Sequence, residues 1–162
     1  MSGKTEDIAG EIAAGLGAEA QDFGEIGGAE DLLEFDSLVV GAPTWHTGAD
    51  TDRSGTPLDD LYEEIDGLDL SGKKVAVFGL GDSQSYSDNF CDAIEEIHSH
   101  FQGAGAEMVG YVAADGYTYD DSKSVVDGKF LGLPIDEDSE SDLSADRYGA
   151  WIEQIKGEGM PL

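Results

Sequence analysis

Length, composition and charge set the first limits on what this protein can be. The chain has 162 residues, 40% of them hydrophobic, which is enough to bury the core of one domain. No segment approaches the roughly 20 consecutive apolar residues that a membrane span requires, so we expect no membrane insertion. The N-terminus shows no secretory signal or Arg-rich transit peptide, which favours a cytoplasmic protein. The single cysteine, Cys91, excludes an internal disulfide.

The chain is strongly acidic, with 36 Asp and Glu residues against 8 Lys and Arg and a formal net charge of −28. Such a surface repels nucleic acid and anionic membranes, and it attracts basic proteins in fast, salt-sensitive encounters. We therefore expect a transient basic protein partner and no nucleic-acid partner. The same excess of acid is also typical of a protein that stays solvated in a saline habitat, and net charge does not separate the two explanations.

Helical and strand patterns alternate along the chain. Ile8, Ile12 and Leu16 recur at helical spacing and predict an opening helix. Short Val-rich apolar runs predict three buried parallel strands, at Leu38–Val40, Val75–Phe78 and Met108–Val112. Apolar faces predict three further helices. The first follows Pro57 and has the apolar residues Leu58, Leu61 and Ile65. The second follows the cap candidates Ser87, Asp88 and Asn89 and has Phe90, Ala93, Ile94, Ile97 and Phe101, and the third has Leu143, Tyr148, Trp151, Ile152 and Ile155. The alternation predicts a doubly wound α/β sheet that binds ligands at the carboxyl ends of its strands.

The stretch 113–142 interrupts this alternation. It is rich in Gly, Asp and Ser, and its one short apolar patch is Phe130–Leu133. We interpret it as a long inserted loop, and its acidic run Asp136–Glu140 as a solvated turn rather than a metal site.

Two polar loops that follow predicted strands each carry one aromatic residue. The loop 41–48 contains Trp45, and the loop 79–89 contains Tyr86. Because the carboxyl ends of parallel strands meet at one edge of a sheet, these two rings can enclose a flat heterocycle. Offset stacking of aromatic rings contributes about 0.5–1.5 kcal/mol beyond area burial.

A third candidate element lies at the start of the chain, where Ser2-Gly3-Lys4-Thr5 precedes the first helix. Hydroxyls, a glycine and free backbone N–H groups at a helix N-terminus form an anion site that fits a phosphate. The same four residues also fit an ordinary helix cap, which is the commoner explanation of such a pattern.

Other catalytic and nucleotide-binding motifs are incomplete. Gly79-x-Gly81 begins a dinucleotide fingerprint, but Gln84 stands where the third glycine is required. Gly3-Lys4-Thr5 matches the end of a P-loop without the earlier glycine. His98 and His100 lie two positions apart on a helix, so they point in different directions, and we expect surface residues rather than a zinc pair. No Ser-His-Asp or Cys-His grouping is visible, so we expect no hydrolytic activity.

Taken together, these loops resemble the flavodoxin family, in particular the long-chain flavodoxins of algae and cyanobacteria. The resemblance covers nearly the whole chain, and its most specific stretches are Gly41–Trp45, Gly48–Thr56, Phe78–Asp82, Tyr86–Ala93 and Gly128–Leu133. It implies one flavodoxin-like α/β domain over residues 1–162, a three-layer α/β/α fold with strand order 2-1-3-4-5, and 113–142 as the long-chain insertion. It also implies a monomeric, low-potential one-electron carrier that binds FMN non-covalently and is not an enzyme.

The resemblance also assigns roles to individual residues. Trp45 resembles the inner stacking aromatic and Tyr86 the outer one, while Asp82 and Asn89 resemble polar contacts to the flavin ring edge and ribityl chain. The full set implied to bind FMN is Ser2, Gly3, Lys4, Thr5, Pro43, Thr44, Trp45, His46, Thr47, Gly48, Leu80, Gly81, Asp82, Tyr86 and Asn89. The implied partners are basic redox proteins such as a ferredoxin/flavodoxin-NADP reductase or a photosystem. In a photosynthetic eukaryote the compartment would be the plastid stroma.

Two departures from the family pattern stand out. The carbonyl that reorients with the flavin's redox state would belong to His46, where related sequences often carry Asn; we hypothesise that His46 makes this change costlier and pH-dependent. The chain also begins in the middle of the phosphate loop, so we expect the first strand to be missing, as from an incomplete gene start. The alternative is that another segment or another chain fills its place in the sheet.

Two alternative functions stay open on the sequence. One is a flavodoxin-fold NAD(P)H-dependent quinone reductase, which would need an open flavin face that Tyr86 is expected to cover. The other is a module that keeps the fold but holds no flavin, because its phosphate loop is cut.

Overall fold

The computed structural model describes residues 3–18, 20, 28–44, 57–84, 87–137 and 139–159. Its α-helices are α1 (Gly3–Leu16), α2 (Pro57–Asp66), α3 (Ala93–Gly103) and α4 (Ser144–Gly157). Its strands are β1 (Ser37–Pro43), β2 (Lys74–Leu80), β3 (Glu107–Val109), β4 (Val112–Ala113), β5 (Val125–Val126), β6 (Lys129–Phe130) and β7 (Leu133–Ile135). Short 3₁₀ turns span Ala29–Glu34, Ser87–Asn89, Ala114–Gly116 and Ser141–Leu143.

The main sheet is parallel and is centred on β2. Strand β1 pairs with β2 along its whole length, from Ser37 opposite Lys74 to Pro43 opposite Leu80. On the other side of β2, β3 pairs with its first half and β7 with its second half. β3 and β7, two separate segments of the chain, therefore together take the place of a single strand beside β2. Among the described residues, no strand pairs with the outer edge of β1.

Helices cover both faces of this sheet. Along β2, Val75 and Val77 pack in the apolar cluster that includes residues of α2 and α3, whereas Ala76 and Phe78 pack in the cluster that includes residues of α1 and α4. Successive side chains of a strand point to opposite faces, so β2 supplies both cores. The predicted α/β fold with helices on both faces of a parallel sheet, in three α/β/α layers, is confirmed.

The third predicted strand, Met108–Val112, is wrong in its extent. It ends at Val109 because Gly110 turns the chain with a φ of 83°, a conformation that glycine adopts freely. The indole Nε1 of Trp151 donates a hydrogen bond to the Gly110 carbonyl at 2.8 Å, which holds this turn against α4. Val112 then begins a second, antiparallel sheet in which β6 lies between β4 and β5.

The stretch 113–142 is not one long loop, because it contains β5, β6 and β7. Its last strand, β7, completes the main sheet despite the Pro134 at its centre, which is tolerated because β7 lies at the sheet's edge. Gly132 makes this pairing possible, since a Cβ there would lie 2.2 Å from the carbonyl oxygen of Val77.

The start of α3 and the site of His98 also differ from expectation. Phe90 precedes the helix, and the cap candidates Ser87–Asn89 form a 3₁₀ turn, because Cys91 has a φ of 52° that interrupts the helical backbone. His98 is buried rather than on the surface, with its Nε2 2.8 Å from the Tyr111 hydroxyl. His100 does point elsewhere, with its Nδ1 2.6 Å from the Asp66 carboxylate.

The described part of the chain holds no helix that is long and apolar enough to cross a membrane. Nor do these residues bring together three or more His, Cys, Asp or Glu side chains that could hold a metal ion.

Candidate functional site

The carboxyl ends of β1, β2 and β7 lie side by side, and the predicted loops leave the sheet from this edge. The Thr44 N–H donates to the Leu80 carbonyl at 3.1 Å, and the Gly81 N–H donates to the Ile135 carbonyl at 3.1 Å. These bonds continue the pairing just past the strand ends. The structure thus brings Pro43, Thr44, Leu80 and Gly81 together, as the sequence predicts.

The hydroxyl of Thr44 links the two candidate loops. Its Oγ1 accepts a hydrogen bond at 3.1 Å from the N–H of Ala93, the first residue of α3. The residue that ends β1 is therefore tied to the helix that follows the loop after β2. This contact satisfies one of the free N–H groups at the start of α3.

Gly81 allows the loop after β2 to fold back on itself. A Cβ at Gly81 would lie 2.8 Å from the backbone nitrogen of Cys91 and 2.9 Å from its sulfur, so a larger residue would force the loop apart. Cys91 is fully buried, and burial raises the pKa of its thiol well above the usual value. The thiol is therefore a packed, unreactive group, as expected for a structural cysteine.

Two carboxylates lie in the loops after β2 and β7. Asp82 accepts hydrogen bonds from the Gln84 N–H at 3.0 Å and from the Ser139 hydroxyl at 2.7 Å. Asp136 is fully buried and accepts from the Ser83 N–H at 2.9 Å, from the Ser83 hydroxyl and from the Ser139 N–H at 2.8 Å. The prediction that Asp136–Glu140 is a solvated turn is wrong at Asp136.

The sequence pattern did not reveal Ser83, Asp136 and Ser139 as parts of the site. The available signal was an acidic residue directly after Pro134 and Ile135, which extend the apolar patch Phe130–Leu133. Interpreting that patch as loop hid the fact that Asp136 stands at the carboxyl end of a strand of the main sheet.

The first turn of α1 contains a buried hydroxyl with an unmet hydrogen-bonding capacity. Thr5 is 7% exposed, and among the described residues nothing hydrogen-bonds its Oγ1. A buried hydroxyl without a partner costs about 1–3 kcal/mol, which a ligand acceptor would recover. The unsatisfied N–H groups and the dipole of this 14-residue helix favour a negatively charged ligand at the same place.

Three further predicted site residues lie in the described part of the chain. Asn89 lies partly buried at the end of the 3₁₀ turn before Phe90, and Gly3 and Lys4 begin α1. Six predicted site residues lie outside the described residues: Ser2, Trp45, His46, Thr47, Gly48 and Tyr86. The aromatic enclosure of a flat ligand stays a prediction.

An open, parallel α/β sheet whose loops converge at the carboxyl ends of its strands defines a class of ligand-binding proteins. Within that class, the family model described as Flavodoxin matches residues 1–151. A flavodoxin of a Nostoc species is 41% identical over 161 residues, covering 98% of this chain and 92% of the relative. Flavodoxin 1 of Escherichia coli is 38% identical over 160 residues, covering 97% and 89%.

Solved structures agree with these sequence matches. The crystal structure of Fusobacterium nucleatum flavodoxin bound to flavin mononucleotide superposes with a TM-score of 0.87 at 27% identity, covering 98% of this chain and 93% of that one. This chain belongs to the flavodoxin family, which confirms the resemblance noted in the sequence. The comparisons do not favour the quinone reductase or the flavin-free module.

Proposed function

We propose that this protein binds one FMN non-covalently at the carboxyl edge of its sheet and carries single electrons between larger redox proteins. It is an electron carrier and not an enzyme, in keeping with its family. The observation in this chain that supports FMN most directly is the buried Thr5 hydroxyl, which has no hydrogen-bond partner among the described residues and lies in the first turn of α1. A phosphate group would satisfy it and would also meet the favourable end of the helix dipole.

The proposed phosphate site is Ser2, Gly3, Lys4 and Thr5. These residues supply hydroxyl and backbone N–H donors rather than an Arg, so the phosphate would be held by hydrogen bonds and the helix dipole. FMN, when bound, supplies the one-electron chemistry of its flavin ring.

The proposed ring site is formed by the loops after β1 and β2. Trp45 and Tyr86 would cover the two faces of the ring, and Pro43, Thr44, His46, Thr47, Gly48, Leu80, Gly81, Asp82 and Asn89 would complete the site. Asp82 is suited to accept a hydrogen bond from the ring edge, because the Gln84 N–H and the Ser139 hydroxyl already hold its carboxylate. Covering both ring faces keeps hydride donors away from the flavin, which suits a carrier better than a reductase.

The charge of the chain supports a low redox potential and a basic partner. Adding negative charge to the flavin is unfavourable next to a phosphate and within a protein of net charge −28, so the fully reduced form should be a strong reductant. The same charge attracts basic redox proteins, such as a ferredoxin/flavodoxin-NADP reductase or a photosystem. We further propose a monomer in the cytoplasm, or in the plastid stroma of a photosynthetic eukaryote.

The phosphate site is tested by comparing FMN with riboflavin, which lacks the phosphate. We expect Thr5→Val to weaken FMN binding about tenfold or more, because a hydrogen bond to a charged group contributes roughly 1.5–3 kcal/mol. Riboflavin affinity should not change, and Thr5→Ser, which keeps the hydroxyl, should retain most of the FMN affinity. Equal losses of FMN and riboflavin affinity in Thr5→Val would contradict the assignment, and a folded wild type that binds no FMN would contradict the function.

A further inference from the structure

The buried carboxylate of Asp136 links the loop after β2 to the loop after β7 by hydrogen bonds. Asp136 has no exposed surface, and each of its oxygens accepts hydrogen bonds from the protein. Its Oδ2 accepts from the N–H and the hydroxyl of Ser83, and its Oδ1 accepts from the N–H of Ser139. A buried carboxylate is costly unless it is fully hydrogen-bonded, so this arrangement tolerates little movement of its donors.

The same hydrogen-bond network includes the carboxylate of Asp82. Ser139 uses its N–H on Asp136 and its hydroxyl on Asp82, at 2.8 Å and 2.7 Å respectively. Asp82 also directly precedes Ser83, whose N–H and hydroxyl both donate to Asp136. Asp136 therefore constrains Asp82 by two routes, one through the backbone and one through the Ser139 side chain.

Asp82 needs such a constraint if it is to act on a ligand. It is only partly buried, so packing alone leaves its carboxylate more freedom than a fully buried group has. A side chain that must meet a ligand in one orientation works better when other groups already fix its rotamer.

We propose that Asp136 is a positioning residue of the flavin site. By holding Ser83 and Ser139, it sets the place and orientation of the Asp82 carboxylate at the flavin ring edge. This inference rests on the proposed function, because it is there that Asp82 contacts the flavin. Asp136 itself touches no ligand in this account, and it acts only through its neighbours.

The first test uses the flavin-free protein and two matched variants. Asp136→Asn and Glu137→Gln each remove one negative charge from adjacent positions, but Glu137 accepts instead from the Ser144 hydroxyl at 2.9 Å. We expect amide hydrogen exchange at Ser83 to be about tenfold faster in Asp136→Asn and unchanged in Glu137→Gln, because only the first loses an acceptor for this loop. Equal exchange at Ser83 in all three proteins would overturn the proposal.

The second test measures FMN affinity and the two one-electron potentials. Asp136→Asn should weaken FMN binding about tenfold and shift the potentials more than Glu137→Gln does, since both variants share the same charge change. Ser139→Ala, which keeps the buried carboxylate and its hydrogen bonds to Ser83, should weaken binding in the same direction.

A double-mutant cycle shows whether the effect passes through Asp82. In an Asp82→Ala background, Asp136→Asn should have little further effect on FMN affinity, whereas additive losses would overturn the proposed route. A wild type that binds no FMN would instead refute the proposed function, while exchange at Ser83 would still decide whether Asp136 holds the loop.

Discussion

The hydroxyl of Ser124 donates a hydrogen bond to the carbonyl oxygen of Cys91 at 2.7 Å. Cys91 has a φ of 52°, a left-handed conformation that is unfavourable for a residue with a Cβ, and both residues are fully buried. Ser124 comes just before β5, so a segment outside the main sheet stabilises the strained end of the loop that begins at Gly81. The Ser124 Oγ also accepts from the N–H of Glu95, in the first turn of α3.

Replacing Ser124 should therefore destabilise the protein markedly. Ser124→Ala removes the acceptor of the Glu95 N–H and one of two donors to the Cys91 carbonyl, which also accepts from the Ile94 N–H at 3.1 Å. We therefore expect a loss of about 1–3 kcal/mol in the free energy of unfolding. Urea denaturation of the wild type and the variant measures this loss in free energy. Ser99→Ala is the matched control, because the Ser99 hydroxyl is exposed and its contact with Glu95 is long, at 3.3 Å. A loss no larger than in the control would show that Ser124 does not brace Cys91.

The turn at Gly110 depends on the indole of Trp151. Trp151→Phe removes the donor to the buried Gly110 carbonyl and leaves space beside it, so we expect a loss of about 2–4 kcal/mol in the free energy of unfolding. Gln154→Ala removes a bond of similar length, 2.7 Å, to the next carbonyl, that of Tyr111, but this bond is exposed and should contribute less than about 1 kcal/mol. Thermal unfolding measures both losses of stability. Similar losses in Trp151→Phe and Gln154→Ala would contradict the special role of the buried Trp151 hydrogen bond.

His98 should make stability fall in mild acid. Burial lowers the pKa of His98 from its usual value near 6.5, with the Glu95 carboxylate opposing the shift. The unfolded chain therefore takes up a proton first as the pH falls below about 6.5, and the free energy of unfolding falls by at most about 1.4 kcal/mol per pH unit from this group. Above about pH 6.5, His98 does not reduce the free energy of unfolding.

The comparison that isolates this effect is His98→Gln, which cannot titrate. The wild type should lose more stability than the variant between about pH 6.5 and the lowered pKa of His98. Parallel profiles in that range would show that His98 does not contribute to the pH dependence.

The charge of −28 should make the fold depend on salt. Raising NaCl from about 0.1 M to about 1 M shortens the screening length from about 10 Å to about 3 Å, so repulsion among carboxylates weakens and the melting temperature should rise. The rise should be much smaller near pH 4.1, the isoelectric point, where the repulsion has largely gone. An equal rise at both pH values would mean that salt acts by strengthening apolar burial and not by screening charge.

The sequence predicts the fold well wherever one apolar period continues for several residues. The core of β1 and β2 and the apolar faces of α1, α2 and α4 follow from such patterns, although α4 begins one residue after Leu143. Prediction fails where a single residue redirects the chain. The left-handed conformations of Gly110 and Cys91 end one strand early and start one helix late, and neither is visible in hydrophobic spacing.

The residues of the candidate site also differ in how far the sequence predicts them. The loops that carry Thr44, Gly81 and Asp82 are predicted from their position after strands, because that relation is local in sequence, and the family resemblance implies the roles of these residues. Asp136 and Ser139 are not predicted, because their roles depend on β7 pairing with β2 far along the chain, and a three-residue strand containing a proline gives too short a pattern.

The central claim is that the protein carries single electrons on one bound FMN. The most direct measurement is an anaerobic reductive titration of the FMN-loaded protein, followed by its absorption spectrum. We predict one FMN per chain, reduced in two separate one-electron steps, and no reduction of quinones by NADH with the purified protein alone. A folded chain that retains no FMN, or a flavin reduced in one two-electron step by NADH, would contradict it.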